Sequence, residues 1–101
     1  MAWPEDIEYS ESKRREVLAG RRVDILRAAR IFEGVVVTSV DSRIDYGEIR
    51  EISIGLVGEE CYVVVHTRRG DAMRVITAWK GGRRDRKRYQ TGITGGNPAD
   101  G

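Results

Sequence analysis

The sequence predicts an α+β fold: two N-terminal helices, an antiparallel sheet of about four strands and a basic C-terminal helix. Three observations carry this. Ile25, Ala28, Ala29 and Phe32 fall at i, i+3, i+4 and i+7, the apolar stripe of an amphipathic helix. From Val35 onward the chain is β-branched, with period-two alternation and breaks at Gly58 and Gly70 spaced as for hairpins. After Gly81-Gly82 the run from Arg83 to Gln90 is a basic helix or helical turn.

The elements follow in order. Ile7 to Tyr9 reads as a short edge strand. Ser10 opens a first helix from about Glu11 to Ala19, which Gly20 should end. Asp24 can cap the second helix, and Gly34 closes it. Val35 to Val40 is a strand and Asp41 to Gly47 a polar link. Glu48 to Val57 is a strand with Ile52, Ile54 and Leu56 on one face. Gly58-Glu59-Glu60 makes a hairpin into Cys61 to Thr67, which is apolar on both faces and therefore central; Arg68 to Asp71 turns it back into Ala72 to Ala78. Residues 1–90 form one domain, and 91–101, with four Gly and one Pro, a mobile tail. Helices segregated to one side of the sheet would leave its other face free as a working surface.

Composition narrows the chemistry. A chain of 101 residues holds one ordinary domain, and its single Cys makes no internal disulfide. One Cys and one His cannot supply a four-ligand zinc site, and no acidic cluster has EF-hand spacing, so neither a metal nor another cofactor is expected. Glu5, Asp6 and Glu8 stand where a secretory signal needs positive and then apolar residues, and no apolar run reaches membrane-spanning length. The expected location is cytoplasmic, with no membrane partner. Charge is graded: residues 1–60 hold 13 acidic and 9 basic side chains (net −4), residues 61–101 hold 3 and 9 (net +6). All nine late cations lie between Arg68 and Arg88, with Trp79 and Tyr89 close by. Such a cluster fits phosphates or an acidic partner, and composition does not choose between them.

Four separated motifs occur in order: Asp45-Tyr46-Gly47-Glu48-Ile49-Arg50, then Thr67-Arg68-Arg69-Gly70, then Arg74-Val75-Ile76-Thr77-Ala78-Trp79-Lys80, and Arg86 with Tyr89. Glu8-Tyr9, Lys13 and Ala28-Ala29 with Phe32 extend the pattern toward the N-terminus. Together they resemble the BrnT family of type II toxin–antitoxin toxins, with Trp79 standing where an Arg is usual. The resemblance implies a fold similar to RelE-type toxins, endoribonuclease activity that restrains growth, and a heteromer with a cognate DNA-binding antitoxin of the BrnA type that neutralises it.

The residues themselves point the same way. Metal-free RNA cleavage needs a base for the 2′-hydroxyl, cations for the charge growing on the phosphorane, and an acid for the leaving oxygen. Candidate catalytic residues are Glu48, as base or as orienter of Arg50; Arg50, Arg69 and Arg74 on the phosphate; and His66, Lys80 or Tyr89 as acid. Candidate RNA-binding residues are Arg68, Thr77, Trp79, Arg83, Arg84, Arg86 and Tyr89. The same residue types also suit a non-enzymatic RNA-binding module, or a domain whose basic helix docks an acidic protein. His66 on a central strand reads equally as a structural residue.

Overall fold

The structure, a computed structural model, describes residues 7–41 and 47–94. Most of the expected polar link, residues 42–46, and the tail from 95 onward lie outside them. The described elements are β1 (Ile7–Glu8), α1 (Glu11–Arg21), α2 (Ile25–Ala28) running directly into a 3-10 turn (Ala29–Glu33), β2 (Val37–Asp41), β3 (Arg50–Val57), β4 (Glu60–Arg69), β5 (Ala72–Lys80) and α3 (Arg83–Ile93). No helix among the described residues is long and apolar enough to cross a membrane.

The Ser10 hydroxyl accepts the Lys13 N–H at 3.3 Å and starts α1, a cap worth about 1 kcal/mol. The helix runs through Gly20, which was expected to end it, and stops where Arg22 turns left-handed (φ +59°) and its N–H reaches the Leu18 carbonyl at 3.0 Å. Asp24 caps α2 by accepting the Leu26 N–H at 3.0 Å, and also grips Arg14 of α1 through two 2.9 Å bonds. The bidentate pair holds the Asp24 carboxyl below the usual carboxylate range and locks α2 against α1. The tighter 3-10 turn then lowers Ile31 and Phe32, both buried, onto the sheet.

The sheet has five strands in the order β1-β5-β4-β3-β2, rather than about four. The fifth is the short edge strand expected at Ile7 to Tyr9, which as β1 pairs with β5 in parallel (Ile7 with Met73, Glu8 with Arg74); the other pairings are antiparallel. β4 is central as expected, and residues 61–67 are all buried. The hairpin turns Gly58-Glu59 and Gly70-Asp71 each place a glycine of positive φ first, the requirement of a type II′ connection.

Helix placement departs from expectation. Directly opposed residues of antiparallel strands share a face. Tyr62, Val64, Val75 and Ala78 pack under α1, α2 and the 3-10 turn with Val17, Val23, Ile25, Ala28, Ile31 and Phe32. Cys61, Val63 and Ile54 alternate to the opposite face, where Tyr89 of α3 covers them with Val37, Ile52 and Trp79 alongside. The helices are therefore divided between both faces, because a central strand apolar on both sides needs cover on both. α3 also takes in Thr91 to Ile93, three residues assigned to the tail, since Gly92 lies flat on Val37 of β2.

A Cβ on Gly55 would stand 2.7 Å from Ile31 Cβ, with the Val36 side chain at 3.2 Å. The 3-10 turn and β3 thus close over a position that only glycine fits. Gly55→Ala is expected to destabilise the protein by about 1–3 kcal/mol, read as a lower urea midpoint at unchanged slope.

Candidate nucleic-acid interface

The candidate site lies on the sheet face that carries α3. Register gives its rows. Glu8 of β1 lies beside Arg74 of β5, Arg74 opposite Thr67 of β4, and Arg50 of β3 opposite Asp41 of β2. Thr67 alternates with Val65, which faces Ile52, so Arg50 and Thr67 share this face. One polar row therefore crosses all five strands. Arg74 Nη1 is 3.7 Å from Glu8 Oε1, Arg50 Nε is 3.2 Å from Glu48 Oε2, and the Thr67 hydroxyl donates to the Ile49 carbonyl at 2.7 Å, pinning the start of β3. Arg69 stands beyond this row, opposite Ala72 at the hairpin. About 7 Å along the strands comes a second row, Thr77, Val65, Ile52 and Ser39. The third row, Trp79, Val63, Ile54 and Val37, lies beneath or beside α3.

α3 supplies the opposing wall. Arg84, Lys87, Arg88 and Thr91 fall on one stripe of the helix and, with Val37, Ser39 and Ile54, line a groove of about 490 Å³. Arg50 and Arg74, both half-buried, lie on the same face by register, one row beyond Ser39, and Arg74 borders a separate cleft with Ser10, Lys13 and Glu16. A phosphate chain in the groove meets the donors of α3.

A β-bulge decides which expected residues join this face. Between Val65 and His66 the pairing with β5 slips, so that His66 faces Val75 while Val65 faces Thr77, with Ile76 the extra residue. Plain alternation would group Arg74 with Lys80. The bulge instead puts Arg74, Thr77 and Trp79 on one face and turns Lys80 to the other, opposite Tyr62. There Lys80 Nζ is 3.5 Å from Glu60, whose carboxyl is held down to about 2 chiefly by the Tyr62 hydroxyl and then by Arg27.

His66 also lies on the helix-covered face. It is 4% exposed, set edge-on to the Phe32 ring with centroids 5.2 Å apart. Its Nε2 is 2.7 Å from Ser53 Oγ, which is 2.7 Å from Thr38 Oγ1, and its Nδ1 is 3.9 Å from Glu51. Burial favours the neutral ring and lowers the pKa; Glu51 opposes this and Arg68 adds to it.

Of the expected site residues, register puts Arg50, Arg69, Arg74, Thr77 and Trp79 on the sheet face that carries α3, with Glu48 on Arg50; Arg84 lines the groove, whereas Arg74 and Thr77 border clefts shared with Lys13 and Glu16 of α1. Trp79 carries Arg21 over its ring at 5.4 Å. His66, Lys80 and Arg68, which faces Met73, are on the other face. Arg83 is exposed at the start of α3, and Arg86 donates to the Glu59 carbonyl at 2.8 Å on the β3–β4 hairpin. Tyr89 is buried and its hydroxyl donates to the Val35 carbonyl at 3.0 Å, so it holds α3 down. Lys87 and Arg88 are expected only as members of the cationic run that ends at Arg88, and Ser39 and Glu8 are not expected as site residues. The helical spacing of 84, 87, 88 and 91 was the signal available for the first two.

The chain matches the family described as the ribonuclease toxin BrnT of type II toxin–antitoxin systems over residues 9–85. That is well over half of its length, and the chain belongs to this family. The match includes β2 to β5 and stops at Asp85, so Lys87 and Arg88 of the groove wall follow it. No curated protein matches the chain.

The position of His66 gives a pH signature. Its folded pKa lies below the unfolded value of about 6.5, so the unfolded chain takes up the proton first. The stability tied to the neutral ring is complete above that value and is lost as pH falls through it toward the folded pKa. Urea midpoints measured from pH 7.5 to 5.5 are expected to fall for the wild type, and to fall less steeply for His66→Gln.

Proposed function

We propose that this BrnT-family toxin cleaves RNA, without a metal ion, on the open part of the sheet between the Arg50–Arg74 row and the cationic stripe of α3. The observation that supports this most is the cationic stripe Arg84, Lys87 and Arg88 of α3 walling a groove floored by Val37, Ser39 and Ile54, on the sheet face to which register also assigns Arg50 and Arg74. Arg50 and Arg74 bind the scissile phosphate and stabilise the charge that grows on it, with Arg69 at the hairpin beside them. Glu48, on Arg50, takes the 2′-hydroxyl proton, and the 5′-oxygen leaves with a proton from water. Thr77, Ser39 and Trp79 line the path of the strand, and Arg84, Lys87 and Arg88 hold its backbone. His66, Lys80 and Tyr89 serve the fold. The cognate antitoxin neutralises the toxin by covering this face.

The purified chain is expected to cut RNA in excess EDTA, leaving 2′,3′-cyclic or 3′-phosphate ends; RNA left intact at stoichiometric protein would leave binding as its role. Arg74→Ala should raise the barrier by about 2–4 kcal/mol with little change in melting temperature. Equal losses of folding and turnover would make the pair with Glu8 structural. Arg84→Ala and Arg88→Ala should each weaken RNA binding and reduce the salt slope by about 0.7, with turnover at saturating RNA kept.

A further inference from the structure

β2 is the outer strand of the sheet, and its far side bears no strand among the described residues. The backbone groups along such an edge are a template for another strand. Register with β3 assigns its side chains to faces. Val37 and Ser39, opposite Ile54 and Ile52, lie on the α3 face and floor the groove walled by Arg84, Lys87 and Arg88. Thr38 and Val40, opposite Ser53 and Glu51, lie on the other face, where Val40 is 62% exposed. A strand laid along this edge would alternate in the same way, presenting one set of side chains to the mouth of the cationic groove and the next set to Val40.

We propose that a segment of the antitoxin adds to the sheet as a strand beside β2, with acidic side chains toward Arg84, Lys87 and Arg88 and apolar ones against Val40. The inference rests on the reading of the chain as an antitoxin-bound toxin and deepens it by naming the contact. Charge complementarity selects the occupant. In an antiparallel pairing of β2 with β2 of a second copy, the two-fold axis would run through the sheet and bring two α3 cation stripes together on one face, a like-charge contact. An acidic strand meets the same cations with opposite sign. It would also lie at the mouth of the groove proposed for RNA, so one segment would supply both the binding and the occlusion.

The test is amide hydrogen exchange on the toxin alone and in its purified complex with the cognate antitoxin. Exchange at Val37 to Val40 should slow at least tenfold in the complex. Val40→Glu, on the face away from the proposed RNA site, should weaken antitoxin binding about tenfold or more while RNA cleavage by the free toxin is unchanged. Protection confined to α3, or to the helices between Glu11 and Phe32, would overturn strand addition. So would antitoxin affinity unaltered by Val40→Glu, slowing of β2 in the toxin alone that grows with its concentration, which would assign the edge to a second copy, or the same slowing with a short RNA. None of the exchange or affinity readings depends on cleavage, so failure of the ribonuclease assay would bear on the proposed activity and leave this contact separately judged.

Discussion

The burial of β4 on both faces governs the rest of the molecule. Every residue from 61 to 67 is buried, and a strand of that kind cannot rest on a single layer of helices. The N-terminal helices and the 3-10 turn cover one side with a closely fitted layer in which Ile31 meets the backbone of Gly55. The other side receives only α3, anchored by Tyr89 and by the contact of Gly92 with Val37. One short helix covers part of a five-stranded face. α3 lies over the row of Val37, Ile54 and Val63, and the groove opens beside it at Ser39; in the row from Glu8 to Asp41, Thr67 and Asp41 are buried and Arg50 and Arg74 half-buried.

The same division separates fold from chemistry. On the covered face the polar groups are satisfied internally: His66 with Ser53 and Thr38, and Glu60 with Tyr62, Arg27 and Lys80. Their desolvated or shifted states stabilise a fixed arrangement. On the other face the arginines Arg50 and Arg74 are half-buried beside the carboxylates of Glu48 and Glu8, which position their planar donors. Val40, on the opposite face, and Val35, just before β2, are exposed hydrophobic side chains near the β2 edge.

Much of the fold was legible in the residues, because its causes are local. The stripe of Ile25, Ala28, Ala29 and Phe32, the Asp24 cap, the Gly-first turns and the two-sided apolarity of β4 all act within a few residues. The failures have non-local causes. Gly20 stands where a helix end is usual, yet the chain closes α1 two residues later at Arg22. The side of the sheet taken by α3 depends on the spare apolar face left by the other helices, and no feature of Arg83 to Gln90 announces it. For the site, the arginine content was readable but the grouping was not. The bulge at Val65–His66 reverses the facing of everything after Ile76, and so moves Lys80 away from Arg74 and brings Trp79 toward it. The helical spacing of Lys87 and Arg88 with Arg84 was visible, but only the placement of α3 shows that this stripe borders a groove.

The most direct measurement of the central claim maps where RNA sits. A short 2′-O-methyl RNA, which cannot be cleaved by its own 2′-oxygen, can be titrated into isotope-labelled protein while amide shifts are followed by NMR. The largest changes are expected at Ser39, Ile52, Arg74, Thr77 and along Arg84 to Thr91, with Arg27, Glu60 and Lys80 undisturbed. Changes centred on Arg27, Tyr62 and Lys80, on the face that carries His66, would contradict that claim.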